Sequence, residues 1–112
     1  MADLRRKKTA KSSPQQRMIK AVVDHWGGPA QCVRILEKAT GVKLSRQHAI
    51  NWVVRNGIPL KNLLVFAETL GVSPYCLNYD GYSMLIRKKK AWKEVVNECR
   101  ILQPANRKGL LE

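Results

Sequence analysis

The chain has 112 residues, of which 21 are Lys or Arg and 8 are Asp or Glu, for a formal net charge of +13. That length suits one domain with short extensions, and a hydrophobic content of 45% is too high for a disordered chain and sufficient for a core. No run of about 18 apolar residues exists to make a transmembrane helix, no apolar run follows the basic start to make a secretory signal, and the charge favours a polyanionic partner, DNA or RNA ahead of an anionic membrane.

Residues 1–12, with Arg5, Arg6, Lys7 and Lys8, have little to bury and read as a disordered basic arm. Ser13-Pro14-Gln15-Gln16 is a helix start, with Ser as N-cap, Pro at the first helical position and Gln reaching back. Met18, Ile19, Val22, Val23 and Trp26 then share a helical face, and Gly27-Gly28 stops the helix. Pro29 opens a second helix with Cys32, Val33, Ile35 and Leu36 as its apolar positions, and Thr40-Gly41 ends it. After Val42-Lys43-Leu44, Ser45 caps a third helix, Arg46 to Arg55, whose Ala49, Trp52 and Val53 face a core. Asn56-Gly57 terminates it. A fourth helix begins at Pro59 with a stripe of Leu60, Leu63, Leu64, Ala67 and Leu70, and Gly71 is its left-handed cap. Ser73-Pro74 starts a short turn carrying Tyr75 and Leu77.

Residues 77–84 alternate around Asp80-Gly81, which is a hairpin signal; a helix-breaking turn is the preferred reading. One longer helix is expected from Ser83 to Leu102, with Trp92, Val95, Val96, Cys99 and Leu102 on one face and Arg87-Lys88-Lys89-Lys90 crowding its first half. Pro104 ends it, and residues 104–112 read as a frayed tail. The expected fold is all-α: a compact four- to five-helix bundle over residues 13–80 containing a helix-turn-helix, plus a C-terminal helix over 83–103.

Cys32, Cys76 and Cys99 are odd in number and widely spaced, with no C-x-x-C. They read as reduced, small buried hydrophobes in a protein of the bacterial cytoplasm, not as metal ligands with His25 or His48. No Ser-His-Asp or Cys-His arrangement, Gly-rich phosphate loop or paired carboxylate motif is visible. Asp24 and His25 are adjacent and point apart by about 100° on a helix. No catalysis, cofactor, metal or small-molecule substrate is expected.

The third helix carries the functional signal. It opens with Ser45, Arg46, Gln47 and His48 and continues with Asn51 and Arg55. A major groove about 12 Å wide accepts one helix, where Arg pairs with guanine and Gln or Asn with adenine. Polar residues on an exposed face are ordinarily only solvated; here position and chemistry agree on base contact. Trp26, Trp52 and Trp92 are possible stacking platforms for single strands, but Trp26 and Trp52 lie on apolar stripes and read as core.

Gly27-Gly28-x-Ala30-Gln31, Gly41-Val42, Leu44-Ser45-x-Gln47, Trp52-Val53, Asn56-Gly57-Ile58-Pro59 and Leu70-Gly71-Val72-Ser73 resemble, in that order, the Cro/YdaS-type helix-turn-helix proteins of phages and prophages. The likeness covers residues 16–80. It implies a transcriptional regulator, acting as a homodimer on a two-fold double-stranded DNA operator, with Arg46, Gln47, Ile50 and Asn51 facing bases. It places Gln31 near a phosphate and Arg55 and Lys61 beside the backbone. Lys43, Ser45, His48, the arm Arg5 to Lys8 and the run Arg87, Lys88, Lys89 and Lys90 are the remaining phosphate candidates. Between Gln31 and Ser45 the chain is longer than the family's run, so Glu37-Lys38-Ala39-Thr40 either extends the second helix or enlarges the turn. The apolar face of the last helix, Trp92, Val95, Val96, Cys99 and Leu102, is the candidate dimer surface; otherwise it packs back on the bundle. Other classes of function are a nucleic-acid assembly or architectural protein, such as a DNA-packaging adaptor, and an RNA-binding or antitermination factor. Charge divides unevenly, with net +2 on residues 21–80 and the remainder on the two flanks.

Overall fold

Local chemistry sets the first four helices. A computed structural model describes residues 12–111 and is all-helical there, with eight helices and no strand. They are α1 (Pro14–His25), α2 (Pro29–Thr40), α3 (Arg46–Val54), α4 (Leu60–Leu70), α5 (Pro74–Leu77), α6 (Tyr79–Ile86), α7 (Trp92–Asn97) and α8 (Pro104–Lys108). The basic arm, with Arg5, Arg6, Lys7 and Lys8, lies outside the described residues. Ser13 opens α1 with a reciprocal cap: its Oγ accepts the Gln16 N–H at 3.0 Å and Gln16 Oε1 accepts the Ser13 N–H at 2.9 Å. Gly41 ends α2 in the left-handed conformation, φ 78°, which costs a glycine little.

Met18, Ile19, Val22, Cys32, Leu36, Leu63, Phe66 and Leu70 form one aliphatic core with Trp52, which packs on Phe66 at a ring separation of 5.7 Å. α1, α2 and α3 pack on one another, and α2 also rests on α4. The stripe expected on α4 is rotated from the one observed: Leu63, Phe66, Ala67 and Leu70 are buried, whereas Leu60 and Leu64 are exposed. α4 is apolar nearly all round, and Phe66 against Trp52 decides which side turns inward.

The C-terminal third departs most from expectation. Residues 79–86 are helix rather than a hairpin or a breaking turn. Asn78 caps α6, its Oδ1 accepting the Gly81 N–H at 2.9 Å, while its Nδ2 donates to the Ile58 carbonyl at 2.9 Å. Gly57 permits this approach, since a Cβ there would lie 2.9 Å from Asn78 Cγ. Asp80 falls in the first turn of α6, where its charge suits the helix dipole.

The single long helix from Ser83 to Leu102 is instead two helices. α6 ends at Arg87, φ 54°, and α7 starts at Trp92. The intervening strap is held by phenols: Tyr75 OH donates to the Lys88 carbonyl at 2.7 Å, and Tyr79 OH donates to the Lys90 carbonyl. Those bonds take carbonyls that a continuous helix would need, and four adjacent cations gain nothing from helical spacing. The tail is not frayed throughout. α8 is helical, Leu110 is buried, Trp92 Nε1 donates to the Leu110 carbonyl at 2.6 Å, and Arg17 Nε donates to the Gly109 carbonyl at 3.2 Å.

These contacts remove the expected dimer surface. Val95, Val96, Cys99 and Leu102 are buried in the chain's own core, and Trp92 packs edge-on to Tyr79 at 5.6 Å. The cysteines are free and buried. Burial pushes the Cys32 thiol up to about 11, and Cys76 is raised by a hydrogen bond with Cys99 and by burial.

Candidate nucleic-acid interface

α3 is short, so its presentation depends on what holds its ends and inner face. Ala49 and Trp52 are buried, and Val53 packs partly against the core. At the N-terminus, the Ser45 N–H donates to His48 Nδ1 at 2.9 Å. With Nδ1 accepting, a neutral His48 carries its proton on Nε2. His48 is therefore first a capping residue on an exposed turn. At the C-terminus, Asn56 adopts φ 63°, and its Oδ1 accepts the Ser13 hydroxyl at 2.7 Å. The start of α1 thus sits beside the end of α3.

Between Gln31 and Ser45 the chain extends α2 rather than enlarging the turn. Glu37, Lys38, Ala39 and Thr40 complete α2, and the connection to α3 is a non-helical stretch over residues 41–45 that begins at the left-handed Gly41. Two side chains pin it. Thr40 Oγ1 accepts the Val42 N–H at 3.2 Å, and Glu37 Oε2 accepts the Leu44 N–H at 2.8 Å. Glu37→Ala strips the charged acceptor from a half-buried amide. The substitution is expected to cost about 1–2 kcal/mol in chemical unfolding; a loss within about 0.3 kcal/mol would show that the turn is held by other means.

The outward face of α3 centres on Gln47 and Val54, flanked by Ile50 and Asn51. Gln47 Nε2 donates to Asn51 Oδ1 at 3.1 Å. The pair leaves an acceptor on Gln47 and donors on both amides, the complement that an adenine edge requires. Arg46 is exposed at the helix start. Ile50 is half-buried and lines a shallow apolar groove of about 280 Å³ with Val23, Pro29, Val53 and Val54. Val54 is 67% exposed, and sequence reading missed it because an apolar residue near the end of a helix ordinarily reads as core. On this face a valine methyl suits a thymine methyl.

No family model, curated protein or solved structure matches the chain.

The remaining candidates fall into two groups. Gln31 is exposed in the first turn of α2, Lys43 and Ser45 are exposed at the entry to α3, Arg55 caps its end, and Lys61 is exposed in the first turn of α4. Arg87, Lys88 and Lys89 are exposed on the strap after α6, which packs on α5, whereas α3 packs on α1 and α2. Lys90 stands apart: its Nζ lies 2.7 Å from Glu98 Oε1 and 5.8 Å from the Tyr75 ring centroid. The Glu98 carboxylate raises its pKa, and the side chain is engaged within the fold. Among the described residues no helix is long and apolar enough to cross a membrane.

Proposed function

We propose that the chain is a sequence-specific regulator that binds double-stranded DNA, with α3 in the major groove. The observation that carries this reading is the division of α3. Ala49 and Trp52 anchor it inward, while Arg46, the Gln47–Asn51 amide pair and Val54 face outward with complementary chemistry for guanine, adenine and thymine. Gln31 on α2, Lys43 and Ser45 at the entry to α3 and Arg55 at its end are exposed and serve as its phosphate partners on this reading. The basic flanks, Arg5 to Lys8 and Arg87 to Lys89, add grip that is indifferent to sequence. On this reading it is a repressor of Cro-like type, acting in a bacterial host's cytoplasm without catalysis.

The test is a mobility-shift titration across salt with random duplex, single-stranded RNA and the DNA flanking the chain's own gene. A regulator keeps a preference of about a thousandfold or more for its site at physiological salt. Gln47→Ala and Asn51→Ala should each cost about 1–3 kcal/mol, confined to particular base pairs. A uniform loss on all sequences, with a steep salt slope, would favour the architectural reading instead. The concentration of charge in the flanks is the observation that supports that second reading.

A further inference from the structure

With Trp92, Val95, Val96, Cys99 and Leu102 committed to the core, the exposed apolar surface lies elsewhere. Two patches stand out. One is Met84, Leu85 and Ile86 at the end of α6; the other is Leu60, Leu64 and Val65 on α4, exposed at 45%, 54% and 42%. Charge separates them. Met84–Ile86 runs straight into Arg87, Lys88 and Lys89, so pairing two copies there would crowd like charges together.

The α4 patch has the opposite character. Residues 60, 61, 64, 65 and 68 lie on one stripe at helical spacing, and all five are exposed. Lys61 sits at one end and Glu68 at the other, and neither makes an ion pair among the described residues. The midpoint between them falls between Leu64 and Val65. Two copies of α4 laid antiparallel across a two-fold axis at that midpoint place each Lys61 opposite the other copy's Glu68. The same operation sets Leu64 against the other copy's Val65. Such a surface is self-complementary, which is what an isologous contact requires.

We infer that the exposed stripe of α4, centred on Leu64 and Val65 and closed by Lys61 and Glu68, is the surface on which two copies of this chain pair. The contact is small. One stripe on an 11-residue helix buries less than the roughly 800 Å² per partner of a standard interface. Repulsion between two strongly basic chains opposes it and is screened beyond about 8 Å at physiological ionic strength. A weak dimer follows, with a dissociation constant in the micromolar range or above. The stripe also follows directly on the turn after α3. If the reading in the preceding subsection holds, two half-sites on one operator would strengthen the pair by raising its effective concentration.

Charge exchange tests this without touching the core. Sedimentation equilibrium of the full chain, from about 1 μM to 1 mM at physiological salt, should show a monomer–dimer equilibrium. Lys61→Glu and Glu68→Lys should each weaken it by about tenfold or more, and the double variant K61E/E68K should restore it to within about threefold. The two single variants change net charge in opposite directions, so a common loss reports the pairing and not overall repulsion. Circular dichroism verifies that each variant is folded. A chain that is monomeric throughout, single variants that move in opposite directions with net charge, or a double variant that stays monomeric would each overturn the interface. The proposed DNA reading fails separately, in the mobility shift. A monomer that still discriminates sites removes the interface alone, and a charge-dependent dimer without discrimination removes the reading alone.

Discussion

Val96→Asp should strip the chain of a large part of its stability rather than produce a monomer as stable as the parent. Val96 has no exposed surface, and α7 reaches back onto α5 and α8. An aspartate there has no cation to meet among the buried residues, which are apolar apart from Ser83. An unpaired carboxylate in such a site either stays charged at great cost or takes up a proton, and the shape of the core is lost in both cases. The expected penalty is about 4 kcal/mol or more, set against a typical domain stability of roughly 5–15 kcal/mol. Circular dichroism and limited proteolysis at ambient temperature would read the result. The same substitution would split a dimer cleanly if the α7 face were an exposed interface. A monomeric Val96→Asp variant as stable and as protease-resistant as the parent would therefore contradict the burial of Val96.

The contrast between the two ends of the chain shows what a sequence can reveal. Ser13 with Gln16, Gly41 after Thr40 and Gly71 after Leu70 act through neighbours three or four residues away, and their helix boundaries were readable for that reason. The break at Arg87 was not, because it depends on Tyr75 and Tyr79 donating to the Lys88 and Lys90 carbonyls from another element. Asp80-Gly81 misled in a related way. Its hairpin signal is local, whereas the Asn78 cap that draws it into α6 works together with the bond to the Ile58 carbonyl. On α3, periodicity separated Ala49 and Trp52 from Gln47 and Asn51. It could not find Val54, whose chemistry matches the core, or Glu37, whose role appears only when the turn brings Leu44 to it. The α4 stripe was ambiguous for a plainer reason: apolar residues occupy both faces, and only one face meets Trp52.

Trp52→Ala should be the most damaging single change within α3, at about 3–5 kcal/mol. The indole is 4% exposed and packs on Phe66, and its removal opens a cavity that the surrounding aliphatic side chains fill only in part. For a domain of this size the loss corresponds to a fall of roughly 15–30 °C in melting temperature. α3 has only 9 residues, well below the length at which an isolated helix persists in water. Its conformation therefore rests on Trp52 and Ala49 inward and on the Ser45–His48 cap at its start. Trp52→Phe keeps an aromatic ring against Phe66 and should recover much of the loss. Thermal unfolding of the two variants beside Gln47→Ala separates support from reading. Trp52→Ala should lower stability steeply and weaken DNA binding only as the folded fraction falls. Gln47→Ala should leave the melting temperature nearly unchanged and alter binding directly. A Trp52→Ala variant within about 1 kcal/mol of the parent would mean that α3 is held in place by something other than this core, and the inward–outward division on which the DNA-binding proposal rests would lose its foundation.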